Sequence, residues 1–199
     1  MSRTEALLEI DVDKELQKII QRLNSLPDQI AAPNILKNAI NSTARRVRKR
    51  IVKDVKGEYA IKNEKILTDE SEGAPKVLTA TAGSMSAAIR SRGPMQEIMA
   101  FMTRPNQGTG AAAAQVLASG SMKPLEVDGL KAFVTRFASD HVAIVQRKGA
   151  DRLPIKKLLS PAVPHMLGNE AVRGRAEALA YETLQREIDK RIKKVLDKG

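Results

Sequence analysis

Residues 131–165 read KAFVTRFASDHVAIVQRKGADRLPIKKLLSPAVPH, and this stretch decides the fold. The run that starts at Phe133 and the β-branched run at residues 142–145 are both typical of strands. Ser139 and Asp140 lie between the two runs and favour a tight turn. The sequence therefore predicts an antiparallel hairpin here.

The chain beyond this hairpin carries three spaced prolines, Pro154, Pro161 and Pro164. Each proline lacks an amide donor and biases the residue before it towards extended geometry. We therefore predict an extended, basic connector rather than a helix. We also expect the prolines to hold Leu158 and Leu159 against the sheet and to aim the last helix at a neighbouring molecule.

Helical periodicity occurs on both sides of this region. Apolar residues at helical spacing predict helices over about residues 12–26, 33–56 and 169–196. A second hairpin is predicted from residues 77–82 and 87–92, which a Gly-Ser pair separates. The predicted fold class is α+β, with N-terminal helices, a small and mostly antiparallel sheet built from hairpins, and a long C-terminal helix packed on it.

The predicted domain organisation has two parts. Residues 1–30 are expected to form an N-terminal helix extension, and residues 31–199 one α+β domain with a loop insertion around residues 103–114. The insertion is expected to be the least ordered interior part of the chain because it is rich in Gly and Ala.

Composition excludes several classes of protein. The 199 residues are 42% hydrophobic and include no cysteine, so a disulfide framework and a thiolate zinc site are excluded. No apolar run approaches the ~20 residues that cross a bilayer. We therefore expect a soluble protein with an aliphatic core and no membrane partner.

The net charge of +11 is concentrated in two segments. Residues 34–56 carry eight cationic side chains and one Asp, and residues 131–159 carry seven cationic and two acidic side chains. Such clusters are typical of a solvated face, of a surface for an acidic partner, or of sequence-independent phosphate contact. The candidate DNA- or partner-facing residues are Arg45, Arg46, Arg48, Lys49, Arg50, Lys156 and Lys157.

The apolar face of the last helix changes direction along its length. Leu184, Ile188, Ile192 and Val195 recur mostly in steps of four, so the stripe rotates by about 40° at each step. One interpretation is that these four residues form a subunit interface. The alternative is a curved helix that buries the stripe within a monomer.

The sequence contains little that could support catalysis. His141 and His165 are the only histidines, and no metal-binding pattern surrounds them. Ser139, Asp140 and His141 have the residue types of a hydrolase triad, but adjacent residues of a hairpin point in alternating directions. We predict that the protein is not an enzyme and needs no cofactor or metal. A small hydrolase using Asp140 and His141 is the remaining alternative.

The order of these parts resembles the minor tail protein Z family of long-tailed bacteriophages and related tail-completion families. The similarity covers about residues 30–198. Its most telling matches are KAF at residues 131–133, VQR at residues 145–147, and LPI at residues 153–155 followed by the prolines of residues 161–164. The chain departs from the family pattern at residues 95–120, which are rich in Ala, Met and Gly where some members carry a basic cluster.

The resemblance implies a virion structural protein at the head-proximal end of the tail, in the neck. There it would complete the tail or join it to the head, and it would be assembled in the host cytoplasm. The implied partners are copies of itself in a ring around the DNA path, expected to be a hexamer, together with other tail and neck proteins. Non-specific contact with duplex DNA is implied, and a small-molecule substrate is not. The alternative function is that of a sequence-independent nucleic-acid-binding protein.

Overall fold

The computed structural model describes residues 4–9, 32–81, 83–105 and 110–197. The α-helices in this part of the chain are α1 (Ala32–Glu58), α2 (Val163–Leu167) and α3 (Glu170–Leu196). Short 3-10 helices span Glu64–Leu67 and Ile98–Ala100. The strands are β1 (Thr4–Glu9), β2 (Lys76–Leu78), β3 (Ala88–Gly93), β4 (Gln96–Glu97), β5 (Met102–Arg104), β6 (Gly110–Ala111), β7 (Ala113–Gln115), β8 (Lys123–Pro124), β9 (Glu126–Val127), β10 (Leu130–Lys131), β11 (Phe133–Arg136), β12 (Val142–Arg147), β13 (Ile155–Lys157) and β14 (Leu159–Ser160). The fold class is α+β with small antiparallel sheets, as predicted.

The predicted hairpin in residues 131–165 is confirmed and forms the centre of the largest sheet. Its strands β11 and β12 pair antiparallel, with Val134 opposite Ile144, in a sheet of order β13-β12-β11-β6. Asp140 in the turn has a φ of 60°, a left-handed conformation that Asp tolerates better than most residues. Both Val134 and Ile144 are buried, so this pair anchors the sheet in the core.

The proline tract is extended, as predicted, as far as Ala162, but it belongs to the sheets, and the prediction is wrong for Pro164, which lies in helix α2. Strand β13 pairs with β12, and β14 pairs with β4. Leu158 is half-buried against the core, whereas Leu159 is 49% exposed, so the predicted packing is wrong for Leu159. Adjacent residues of an extended chain face opposite sides, which is why one leucine packs and the next does not. Pro164 lies in the first turn of α2, a position where its missing amide costs little.

The second predicted hairpin is also confirmed, and its first strand is shorter than predicted. Strands β2 and β3 pair antiparallel, and β1 pairs with the other side of β3 along six residues. Residues 4–9 lie within the predicted N-terminal helix extension, yet they form this strand. The helix predicted over residues 12–26 lies outside the described residues.

The predicted loop insertion around residues 103–114 contains regular structure. Strand β5 pairs with β7, β7 pairs with β8, and β6 joins the edge of β11. Residues 106–109 lie outside the described residues. This region therefore contributes to the same core as the central hairpin, through Ala112 and Ala114.

The two long helices match their predicted bounds closely. Helix α1 begins beside Pro33 and runs through Gly57 to Glu58. Helix α3 begins after Asn169, whose side-chain oxygen accepts hydrogen bonds from the first-turn amides at 3.1 and 3.4 Å. No helix in the described residues is long and apolar enough to cross a membrane.

Helices α1 and α3 pack antiparallel, and this packing contradicts the predicted subunit interface. Leu184, Ile188 and Ile192 are 1%, 3% and 9% exposed, and Val195 packs on the same cluster. Their partners are apolar residues in the first half of α1: Ile35, Leu36, Ala39, Ile40 and Ala44. The rotating stripe stays inside the protomer because α1 is as long as α3 and continues to cover it.

Candidate functional site

The predicted basic face of α1 is divided by its ion pairs. Arg48 binds Asp69 and donates from Nε to the carbonyl of Pro75 at 2.7 Å, and Arg50 Nε lies 2.9 Å from an oxygen of Asp54. Both arginines are therefore already paired within the protomer.

The remaining cations of this face are exposed. Arg45 and Lys49 are exposed and form no ion pair within the described residues, and Arg46 reaches Glu187 of α3 at 3.7 Å. Arg45 also lines a cavity between α1 and α3.

That cavity, here called the basic cleft, lies between α1 and α3 and has a volume of about 460 Å³. Helix α1 contributes Asn38, Asn41, Ser42 and Arg45. Helix α3 contributes Glu187, Lys190, Arg191 and Lys194. Four cations against one carboxylate give this lining a formal charge of +3.

Arg191 is fixed in the floor of the basic cleft by bonds to both helices. Its Nη2 donates to the hydroxyl of Ser42 at 2.8 Å and to the carbonyl of Asn38 at 3.1 Å, while Nη1 binds the carboxylate of Glu187. These bonds link the end of α3 to the beginning of α1 and hold the guanidinium in one orientation.

Glu187 is 8% exposed and has cationic partners on two sides. One carboxylate oxygen binds Arg191 and the other faces Arg46 at 3.7 Å. A buried carboxylate needs such pairing, since an unpaired buried charge is strongly unfavourable. Because Glu187 is already paired, it does little to neutralise the other cations of the basic cleft.

Three cations of the basic cleft remain unpaired within the part of the chain that the structure describes. Arg45, Lys190 and Lys194 are exposed and form no ion pair there. Lys190 and Lys194 are four residues apart on α3 and so project from one face, about 6 Å apart along the helix axis. The basic cleft thus combines a fixed guanidinium with exposed cationic side chains.

The other predicted basic residues do not line the basic cleft. Lys157 on β13 binds Glu97 at 2.7 Å, and His141 contacts the other oxygen of Glu97 at 3.0 Å. Lys156 is exposed on the same strand and has no ion pair among the described residues. The structure therefore separates the two basic segments that the sequence groups together as candidates.

The Ser139-Asp140-His141 sequence does not assemble as a triad. The carboxylate of Asp140 faces Arg136 at 3.4 Å, whereas His141 faces Glu97 and stacks on Phe137 with ring centres 6.3 Å apart. In residues 4–9, 32–81, 83–105 and 110–197 there is no group of three metal-ligating side chains. The geometry here is that of a tight turn with surface ion pairs.

Comparisons with protein-family models, with curated proteins and with solved structures found no match for this chain.

Sequence reasoning found one cation of the basic cleft and missed the others. The spacing of Lys190 and Lys194 was the available signal, because four residues place both on one helix face. The sequence gives no sign that this face lies beside Arg45, since that depends on how α1 and α3 pack.

Proposed function

We propose that this protein is a structural component at the head-proximal end of a phage tail, where it forms a ring around the DNA path. The observation that carries the proposal is the order of elements. A long helix precedes hairpin-built sheets, and the β11–β12 hairpin leads through the proline-spaced strands β13 and β14 to a long final helix. This order is the one that the tail-completion resemblance implies.

Exposed sheet edges support an assembly role. Strand β13 lies at one edge of the four-stranded sheet and β6 at the other. An edge strand leaves backbone donors and acceptors available, so a neighbouring chain can pair with it. Edges on opposite sides of a protomer suit head-to-tail contacts, which close into rings.

Three exposed apolar side chains lie in or next to strands β4, β13 and β14. Leu153, just before β13, is 67% exposed, Leu159 in β14 is 49% exposed, and Met95, just before β4, is 46% exposed. Exposed apolar side chains of this kind are candidates for contact with another subunit. With the main buried stripe of α3 used inside the protomer, these residues replace it as the candidate contacts between subunits.

The charge distribution suits a protein that lies beside DNA without reading its sequence. Arginine and lysine contacts to phosphate tolerate any base sequence, so DNA can slide past them. The basic cleft and the exposed cations of α1 supply such contacts.

Deletion of the gene from the genome that encodes it tests the proposal. We expect the deletion to yield separate heads and tails in electron micrographs, with joining restored by a plasmid copy. The plasmid copy should also place the protein in purified particles. The assignment would be refuted if the deletion strain produced complete, infectious particles. It would also be refuted if particles lacked the protein at every stage of their assembly.

The second candidate is a free, sequence-independent nucleic-acid-binding protein, and accessibility of the basic cleft in the protomer favours it. A protein with this function would bind duplex DNA tightly at physiological salt without assembling into a ring. A tail subunit would need only weak contacts, because they are repeated around the ring. Native mass spectrometry with DNA titration separates the two candidates. A monomer that binds DNA tightly and never enters particles would favour this second function.

A further inference from the structure

We infer that the basic cleft between α1 and α3 is a binding site for backbone phosphates of nucleic acid. The inference rests on the proposed function in one respect, since the DNA path supplies the ligand. We assign phosphate binding to Lys190 and Lys194, with Arg191 as a positioning residue in the floor of the cleft.

The basic cleft is prepared for an anion before any ligand arrives. Arg191 is held by Ser42, Glu187 and the carbonyl of Asn38, so the floor of the cleft does not need to reorganise. Arg45, Lys190 and Lys194 surround this floor with no carboxylate partner in the described chain. Binding an anion here relieves the repulsion among these cations, which favours occupancy.

The chemistry of these three cations suits phosphate. Two of them, Lys190 and Lys194, are lysines, whose ammonium groups act as point charges and can bind phosphate oxygens that project in several directions. The third, Arg45, has a guanidinium whose planar fork can bind two oxygens of one phosphate. The guanidinium of Arg191 is already occupied by Glu187 and Ser42.

The lining offers little means to read bases. Of its two amide side chains, that of Asn41 has both polar groups bonded to the backbone of Ala80, at 3.1 and 2.7 Å. Among the described residues, no aromatic ring on which a single-stranded base could stack lines the cleft. The site should therefore bind duplexes of any sequence equally.

The test is a salt series of duplex DNA binding, measured by fluorescence anisotropy on the full-length protein. The variant R45Q/K190Q/K194Q removes the three cleft charges, and K62Q/K65Q/K76Q removes three exposed lysines that lie outside the cleft. Glutamine is close to lysine and arginine in length and helix propensity, so both variants should fold, as circular dichroism will check.

We expect the cleft variant to reduce the slope of log K against log salt by about 2.7, which is ~0.9 for each phosphate that is no longer neutralised. The control variant should change the slope by less than the ~0.9 expected for a single phosphate. Equal effects of the two variants, no effect of either, or no binding by the unmodified protein at low salt would each overturn the inference.

A parallel titration uses poly-glutamate and inorganic phosphate as probes. Weakened poly-glutamate binding with unchanged DNA binding would identify the basic cleft as a surface for an acidic protein, and would overturn the inference. Loss of inorganic phosphate binding together with DNA binding would support it. The gene-deletion experiment is separate, so complete particles without the protein would refute the tail assignment while leaving a measured phosphate site intact.

Discussion

Replacing Leu184 by alanine tests whether the rotated stripe of α3 belongs to the protomer core. Leu184 is 1% exposed and packs against the first half of α1. The substitution removes three buried carbon atoms, worth ~0.8 kcal/mol each, and leaves a cavity in a tightly packed contact. We expect a loss of about 3 kcal/mol in the free energy of unfolding, which lowers the melting temperature by roughly 6–12 °C.

The matched control is Leu117→Ala, because Leu117 is 48% exposed and its truncation encloses no cavity. About 1 kcal/mol or less is expected there. Urea unfolding followed by circular dichroism, at low and high protein concentration, measures both variants. If Leu184→Ala costs no more than the control, or if its cost depends on protein concentration, the stripe contributes to a contact between subunits and the intramolecular assignment fails.

Predictions at four further sites concern local structure. Gly93→Ala should destabilise the protein by ~1–3 kcal/mol, because a Cβ at this position would lie 2.7 Å from the Cα of Gly73. In contrast, Gly174→Ala should stabilise α3 by ~0.5–1 kcal/mol, since nothing lies within 4 Å of the added methyl group; thermal melts of the pair should shift in opposite directions. Asn169→Ala should lower the free energy of unfolding by about 1 kcal/mol because it removes the cap of α3, whereas Asn169→Asp should preserve stability. Thermal melts in which both variants behave alike would contradict the capping role. Gln146→Glu should lower the free energy of unfolding by at least ~2 kcal/mol, because Gln146 is 1% exposed and its amide donates to carbonyls of β9 and β10 that would repel a carboxylate. Urea unfolding near neutral pH would measure this loss, and an unchanged free energy of unfolding would refute the prediction.

Local pattern in the sequence was sufficient for the two long helices and the two predicted hairpins. The β-branched run at residues 142–145 and the turn at Ser139-Asp140 predict the central hairpin because strand pairing and turn geometry depend on neighbouring residues. The apolar spacing and the Asn169 cap predict α3 for the same reason. The α+β class follows from the succession of these elements.

Strand pairing in the proline tract could not be predicted from the tract alone. Residues 155–160 read as an extended connector, but whether an extended segment joins a sheet depends on which edge lies beside it. Strand β12 and strand β4 provide those edges. The same dependence leaves Leu159 exposed while Leu158 packs.

Only the tertiary structure decided what the two long helices do together. The sequence determined that α1 is basic on its outer side and that Leu184 and Ile188 continue an apolar stripe. The antiparallel packing of α1 on α3 buries that stripe inside the protomer and brings Arg45 beside Lys190 and Lys194. Arg45 lies far from Lys190 and Lys194 in the sequence. Burial of the apolar faces of α1 and α3 against each other brings the three residues to one site, because the hydrophobic effect does not depend on how far apart the buried residues are in the sequence.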